Sequence, residues 1–131
     1  MRKQILIGVV AFAGLFAVQT ASAQDRTDCL RVGQIDGFSA IKGNDKAFVV
    51  TDLAHRRFKI NLMYRCGGLD YNMAVGFKTL GIGRLACISR GDTVFSRDVG
   101  VAGNRCPVSS VVPYTPAMEA ADKAAFAAKS H

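Results

Sequence analysis

Four cysteines constrain this chain's fold more than any other residues. Cys29, Cys66, Cys87 and Cys106 are its only cysteines, an even number set far apart with no C-x-x-C pair among them. That spacing offers no jaw for a zinc site and no thioredoxin-like couple, so the reading is two structural disulfides formed in an oxidising compartment. The N-terminus predicts such a compartment. Arg2 and Lys3 give a positive start, Ile5 to Val18 is an unbroken apolar and glycine run, and Ala21-Ser22-Ala23 is a small-x-small cleavage site before Gln24. The run falls short of the roughly 20 residues a spanning helix needs, and polar residues follow it directly. Residues 1–23 are therefore expected to be a signal peptide, cleaved after Ala23 on the way to the periplasm or the medium. Arg26, Thr27 and Asp28, just before Cys29, lack the small apolar pattern of a lipoprotein signal, so no lipid anchor is expected.

The rest is short enough to be one domain, and a domain that small gains from covalent staples. Its hydrophobic pattern is mostly of strand type. Leu30, Val32, Ile35 and Phe38 read as a first strand bulged at Gly33, and Ala47 to Thr51 as a second after the turn Lys42-Gly43-Asn44-Asp45. Phe58, Ile60 and Leu62 alternate with Lys59, Asn61 and Met63, as in a half-buried strand. Gly67-Gly68 breaks the pattern, and Leu69 to Val75 is expected to hold one short helical turn. Gly76, Gly81 and Gly83 punctuate the next stretch of chain. Leu85 to Ser89, Thr93 to Ser96 and Pro107 to Tyr114 read as three more strands, the first two joined by a hairpin at Arg90-Gly91-Asp92. Turns at such short intervals predict a mainly β domain over residues 24–115, a small antiparallel sandwich or partly open barrel stapled by disulfides.

Residues 116–131 differ in kind. Thr115 is placed to cap a helix with Pro116 in its first position, and Ala117 to Lys129 is dense in alanine. A helical tail is expected, with Met118, Ala121, Ala125 and Phe126 approximating one apolar stripe. An isolated helix this short is marginal in water, so docking on the sheet decides its order.

Charge points outward without choosing a partner. The net charge of +7 falls by two when Arg2 and Lys3 are removed. The densest basic piece is His55-Arg56-Arg57-Phe58-Lys59, where Arg56, Arg57 and Lys59 are candidates for contact with a phosphate or carboxylate of an anionic envelope polymer; another envelope protein is the other partner in view. Nucleic acid is not expected, since the compartment is wrong and Phe58 alone makes no stacking platform. No cofactor or metal site is expected. Gly81-Ile82-Gly83 lacks the third glycine and the βαβ context of a dinucleotide fingerprint. His55 is the only histidine inside the domain, and no base is visible beside Ser39, Ser89 or Ser96. Asp92 and Asp98 are expected to be solvated loop aspartates rather than an acid–base pair.

The cysteine framework also carries a resemblance. Tyr64-Arg65-Cys66-Gly67-Gly68-Leu69 with Ala74 after it, Leu85-Ala86-Cys87, Gly91-Asp92-Thr93-Val94 and Arg105-Cys106-Pro107-Val108 resemble a family of small secreted proteobacterial proteins known as domain of unknown function 6491. The similarity spans about Cys29 to Thr115 and brings no activity, cofactor or catalytic residue. Members of similar pattern often show counterparts only of Cys66 and Cys106, which implies that these two pair and leaves Cys29 for Cys87. The residues alone leave Cys66 with Cys87, or Cys29 with Cys66, equally open. The functional expectation is an exported, non-catalytic binding or structural module, with an envelope-polymer enzyme or enzyme inhibitor as the alternative.

Overall fold

The computed structural model describes residues 29–67, 69, 74–83, 85–98 and 101–131. The expected signal peptide, and most of the helical turn expected over Leu69–Val75, lie outside the described residues. Among the described residues six strands, β1 (Ile35–Ile41), β2 (Asn44–Asp52), β3 (Arg57–Leu62), β4 (Ala74–Lys78), β5 (Thr93–Asp98) and β6 (Val101–Pro113), precede one helix, α1 (Pro116–Lys129). They make a single antiparallel sheet in the order β1-β2-β3-β6-β5-β4. Two three-stranded meanders are thus fused where β3 meets β6. β6 makes the fusion possible by its length: its first half pairs with β5 and its second half with β3. The sheet curls into a half-barrel, the partly open form of the two expected architectures.

Local differences from the sequence reading have physical causes. Val32–Gln34 is a 3-10 turn, so β1 starts only at Ile35, and its register shifts between Ile35 and Gly37. Leu85–Ser89 is not a strand; one bridge, Arg31 to Cys87, and a bond from the Ile88 N–H to the Leu30 carbonyl at 2.8 Å hold it. β4 forms despite Gly76 because each of its residues pairs with β5, and cross-strand pairing outweighs weak local propensity.

β2 shows how the layers are arranged. Ala47, Phe48, Val49 and Val50 are all buried, which alternation on a one-sided sheet forbids. Phe48 and Val50 face the concave side with Phe58, Ile60, Leu62, Val94, Cys106 and Val108, and Leu30, Leu69 and Ile88 close this core. Ala47 and Val49 join Ile41 and Tyr114 in a smaller cluster on the other face. Over that second cluster lies α1.

Thr115 caps α1 by accepting a bond from the Met118 N–H at 3.3 Å, with Pro116 in the first turn. None of its residues is fully buried. Polar contacts along one face dock it: Lys59 to Asp122, Arg57 to Glu119, and Lys129 to the Gly43 carbonyl. Gly43 occupies the β1–β2 turn at φ +72°, and a Cβ there would sit 2.8 Å from the Phe126 ring. Glycine is therefore required twice over, by the left-handed turn and by the approach of the helix.

Two disulfides complete the fold. Cys66 pairs with Cys106 inside the core, and Cys29 pairs with Cys87 near the surface, as the family resemblance implied.

Candidate interaction surface

The basic turn is engaged by the protein's own carboxylates. Asp52, 1 % exposed, closes the β2–β3 turn: its carboxylate accepts the Ala54 and Arg56 backbone N–H groups at 3.0 and 2.8 Å, and the Arg56 guanidinium at 2.8 Å. Burial alone pushes the Asp52 carboxyl up; the Arg56 amide, side-chain bond and charge outweigh it and hold the group below its ordinary value of 3.8. His55 takes the left-handed conformation of this turn at φ 61°, exposed, its N–H bonded to the Asp52 carbonyl.

Strand alternation then separates the three candidate cations. Arg56 lies over the Phe58 ring, whereas Arg57 and Lys59 point to the opposite face and α1. Arg57 meets Glu119 at 2.7 Å and stacks on Tyr114, and its bond together with that of Lys123 holds the Glu119 carboxyl below its usual range. Lys59 bonds both Asp122 oxygens at 2.8 and 2.9 Å. Tyr114 donates to the same carboxylate at 3.1 Å, and burial, then that bond, raises its phenol to about 12. An external anion at Arg57 or Lys59 has to displace a carboxylate of the helix. Between α1 and the sheet a groove of about 420 Å³ is lined by Ile41, Val49, Arg57, Tyr114, Asp122 and Phe126. Of its charged lining, Arg57, Glu119, Asp122 and Lys123 are held in internal ion pairs, and Lys42 is exposed beside them.

A different surface is open. Between β4 and β5 the chain carries Leu80, Ile82 and Leu85, which are 81 %, 100 % and 77 % exposed. Asp92 holds the base of this loop. It is buried, not the solvated aspartate expected, and its two oxygens accept the Leu80 and Ser89 N–H groups, each at 2.8 Å, tying both ends of the loop to one carboxylate. The legs cross closely enough that a Cβ on Gly81 would stand 2.8 Å from the Ala86 Cβ. A turn bond from the Ala86 N–H to the Gly83 carbonyl shapes the tip, and the Cys29–Cys87 disulfide anchors the outgoing leg. Three aliphatic side chains thus stand in water on a loop tied at both ends.

The other candidates have structural duties. Ser89 Oγ reaches Asp92 at 3.4 Å, Ser96 Oγ donates to the Gly67 carbonyl, and Ser39 lines the groove. The Asp98 side chain lies outside the described residues. Among the described residues no three His, Cys, Asp or Glu side chains converge as a metal site, and no helix is long and apolar enough to cross a membrane. Gly81-Ile82-Gly83, which lacks a dinucleotide fingerprint, lies in this loop. The large aliphatics set around those glycines, Leu80, Ile82 and Leu85, form no sequence motif, and only the structure marks them as a surface.

No curated protein and no solved structure gives a significant match to the chain. One family model does match, across residues 1–130. The cysteine framework, the fused meanders and the Asp92-clamped loop are thus features of a chain that belongs to the family of unknown function DUF6491.

Proposed function

We propose that this protein acts outside the cytoplasm as a non-catalytic binding module of the cell envelope, presenting the loop from Leu80 to Leu85 to its partner. One observation carries the reading: three large aliphatics stand in solvent on a loop clamped by a buried carboxylate and a disulfide. Exposed apolar patches mark contact sites, and a surface already rigid loses less entropy on binding. Export is supported by the signal-like residues 1–23 and by two disulfides, which persist in oxidising compartments.

The test is a photo-crosslinking amino acid at position 82 in living cells, with the same group at Ala124 on α1 as control. Adducts to protein or lipid from position 82 alone, in envelope material whose N-terminus is Gln24, are expected. Equal adducts from both positions, or none from 82, refute the loop as the contact. An intact Met1 in a soluble cytoplasmic pool refutes export.

A further inference from the structure

The chemistry around the loop names a partner. From Lys78 to Gly91 the sequence contains no carboxylate, and its charged residues are Lys78, Arg84 and Arg90. Lys78 and Arg90 are exposed and make no ion pair among the described residues. The next acidic residue, Asp92, is turned inward onto backbone amides. An apolar tip therefore stands between positive charges that no ion pair among the described residues neutralises. Its shape narrows the choice further. The 83–86 turn bond prevents the tip from lying extended in the cleft of another protein, and Ile82 at full exposure is a protrusion rather than one wall of a groove. Aliphatic tips with basic flanks match the interface of an anionic bilayer, where side chains enter the acyl boundary and cations stay among the phosphates.

We propose that Leu80, Ile82 and Leu85 insert into the surface of an anionic phospholipid bilayer, with Lys78 and Arg90 at the headgroups. The proposal rests on the loop being the contact surface and adds what it contacts. The architecture suits the task. Asp92, the Gly81–Ala86 crossing and the Cys29–Cys87 bridge hold the aliphatics outward before contact, so insertion requires no refolding of the loop.

The chain contains no tryptophan, so Ile82→Trp supplies a single reporter at a position where the fold makes no demand. The oxidised protein, purified as its host processes it, is mixed with vesicles of phosphatidylcholine alone or with phosphatidylglycerol at low salt. With phosphatidylglycerol a blue-shifted emission and quenching by lipids brominated on the acyl chain are expected, with Leu85→Trp behaving alike and Ala124→Trp unchanged. Lys78→Gln with Arg90→Gln should weaken vesicle binding about 25-fold, at about fivefold per charge near the surface. Ile82→Ser should weaken it at least about tenfold, as burial of one large aliphatic predicts.

Water-exposed emission from both the Ile82→Trp and the Leu85→Trp variants on phosphatidylglycerol vesicles overturns the proposal. So does insertion that is equal without anionic lipid and indifferent to the two Gln substitutions. If the vesicles are silent while position 82 crosslinks to a protein in cells, the binding-module reading stands and the lipid inference falls. Silence in both assays removes both.

Discussion

Two ion pairs on one face of α1 offer a controlled measurement of what burial does to a salt bridge. Lys59–Asp122 and Arg57–Glu119 are nearly equal in length, 2.8 and 2.7 Å, but their side chains keep 13 % and 16 % of their exposure in the first pair against 40 % and 32 % in the second. At 2.8 Å and an effective dielectric constant of about 20, the gross attraction of Lys59 and Asp122 is about 6 kcal/mol. Desolvation of two largely buried ions offsets most of it, leaving an expected coupling of about 2 kcal/mol. Water screens Arg57 and Glu119, so their coupling should be much the weaker of the two. Two double-mutant cycles with alanine, read by urea unfolding, give both values. Repeating them at about 1 M salt, where the screening length drops to about 3 Å, should spare the buried coupling. Asp122→Ala should also cost more than Lys59→Ala, because the Tyr114 hydroxyl loses its acceptor as well. Equal couplings in the two cycles, or loss of the Lys59–Asp122 coupling in salt, would show that exposure does not rank these pairs.

Arg56→Ala should destabilise the fold by about 2 kcal/mol, because it removes the charged partner of buried Asp52. Since the Asp52 carboxyl is held low in the folded state, its contribution is present above about pH 4 and lost as pH falls below that; urea midpoints against pH should show this acid slope flattened in the variant. Each disulfide should contribute about 4 kcal/mol on loop-closure entropy, for sequence separations of 40 and 58, but access differs. Mild reductant followed by alkylation and mass spectrometry should modify Cys29 and Cys87 first; Cys66 and Cys106 labelling first contradicts the burial argument. Tyr114, raised to about 12, stabilises the fold below about pH 10 and ceases to do so as pH rises through 12; an ultraviolet titration should find this phenol near 12, and Asp122→Asn should bring it down.

How far such features were legible in the sequence depends on whether local chemistry or distant contacts decide them. β3 was readable because Phe58, Ile60 and Leu62 face one concave core, and α1 because its cap, proline and alanines act locally. β4 was not, since pairing with β5 overrides Gly76. Arg57 and Lys59 read as free cations because their partners, Glu119 and Asp122, are 62 and 63 residues away in the chain. Asp92 is the sharpest case. It stands beside Gly91 where a turn aspartate is ordinarily solvated, yet the chain buries it to accept Leu80 N–H on one oxygen and Ser89 N–H on the other. Only a carboxylate can accept at both positions. In Asp92→Asn one of the two amides must face the side-chain NH₂, donor against donor, which should cost about 2 kcal/mol and release one leg of the loop. Hydrogen exchange should then quicken at Leu80 or Ser89 while the amides that pair β2 with β3, away from the loop, keep their protection. Unchanged exchange at both loop amides would mean that the Gly81–Ala86 contact and the disulfide hold the tip without Asp92.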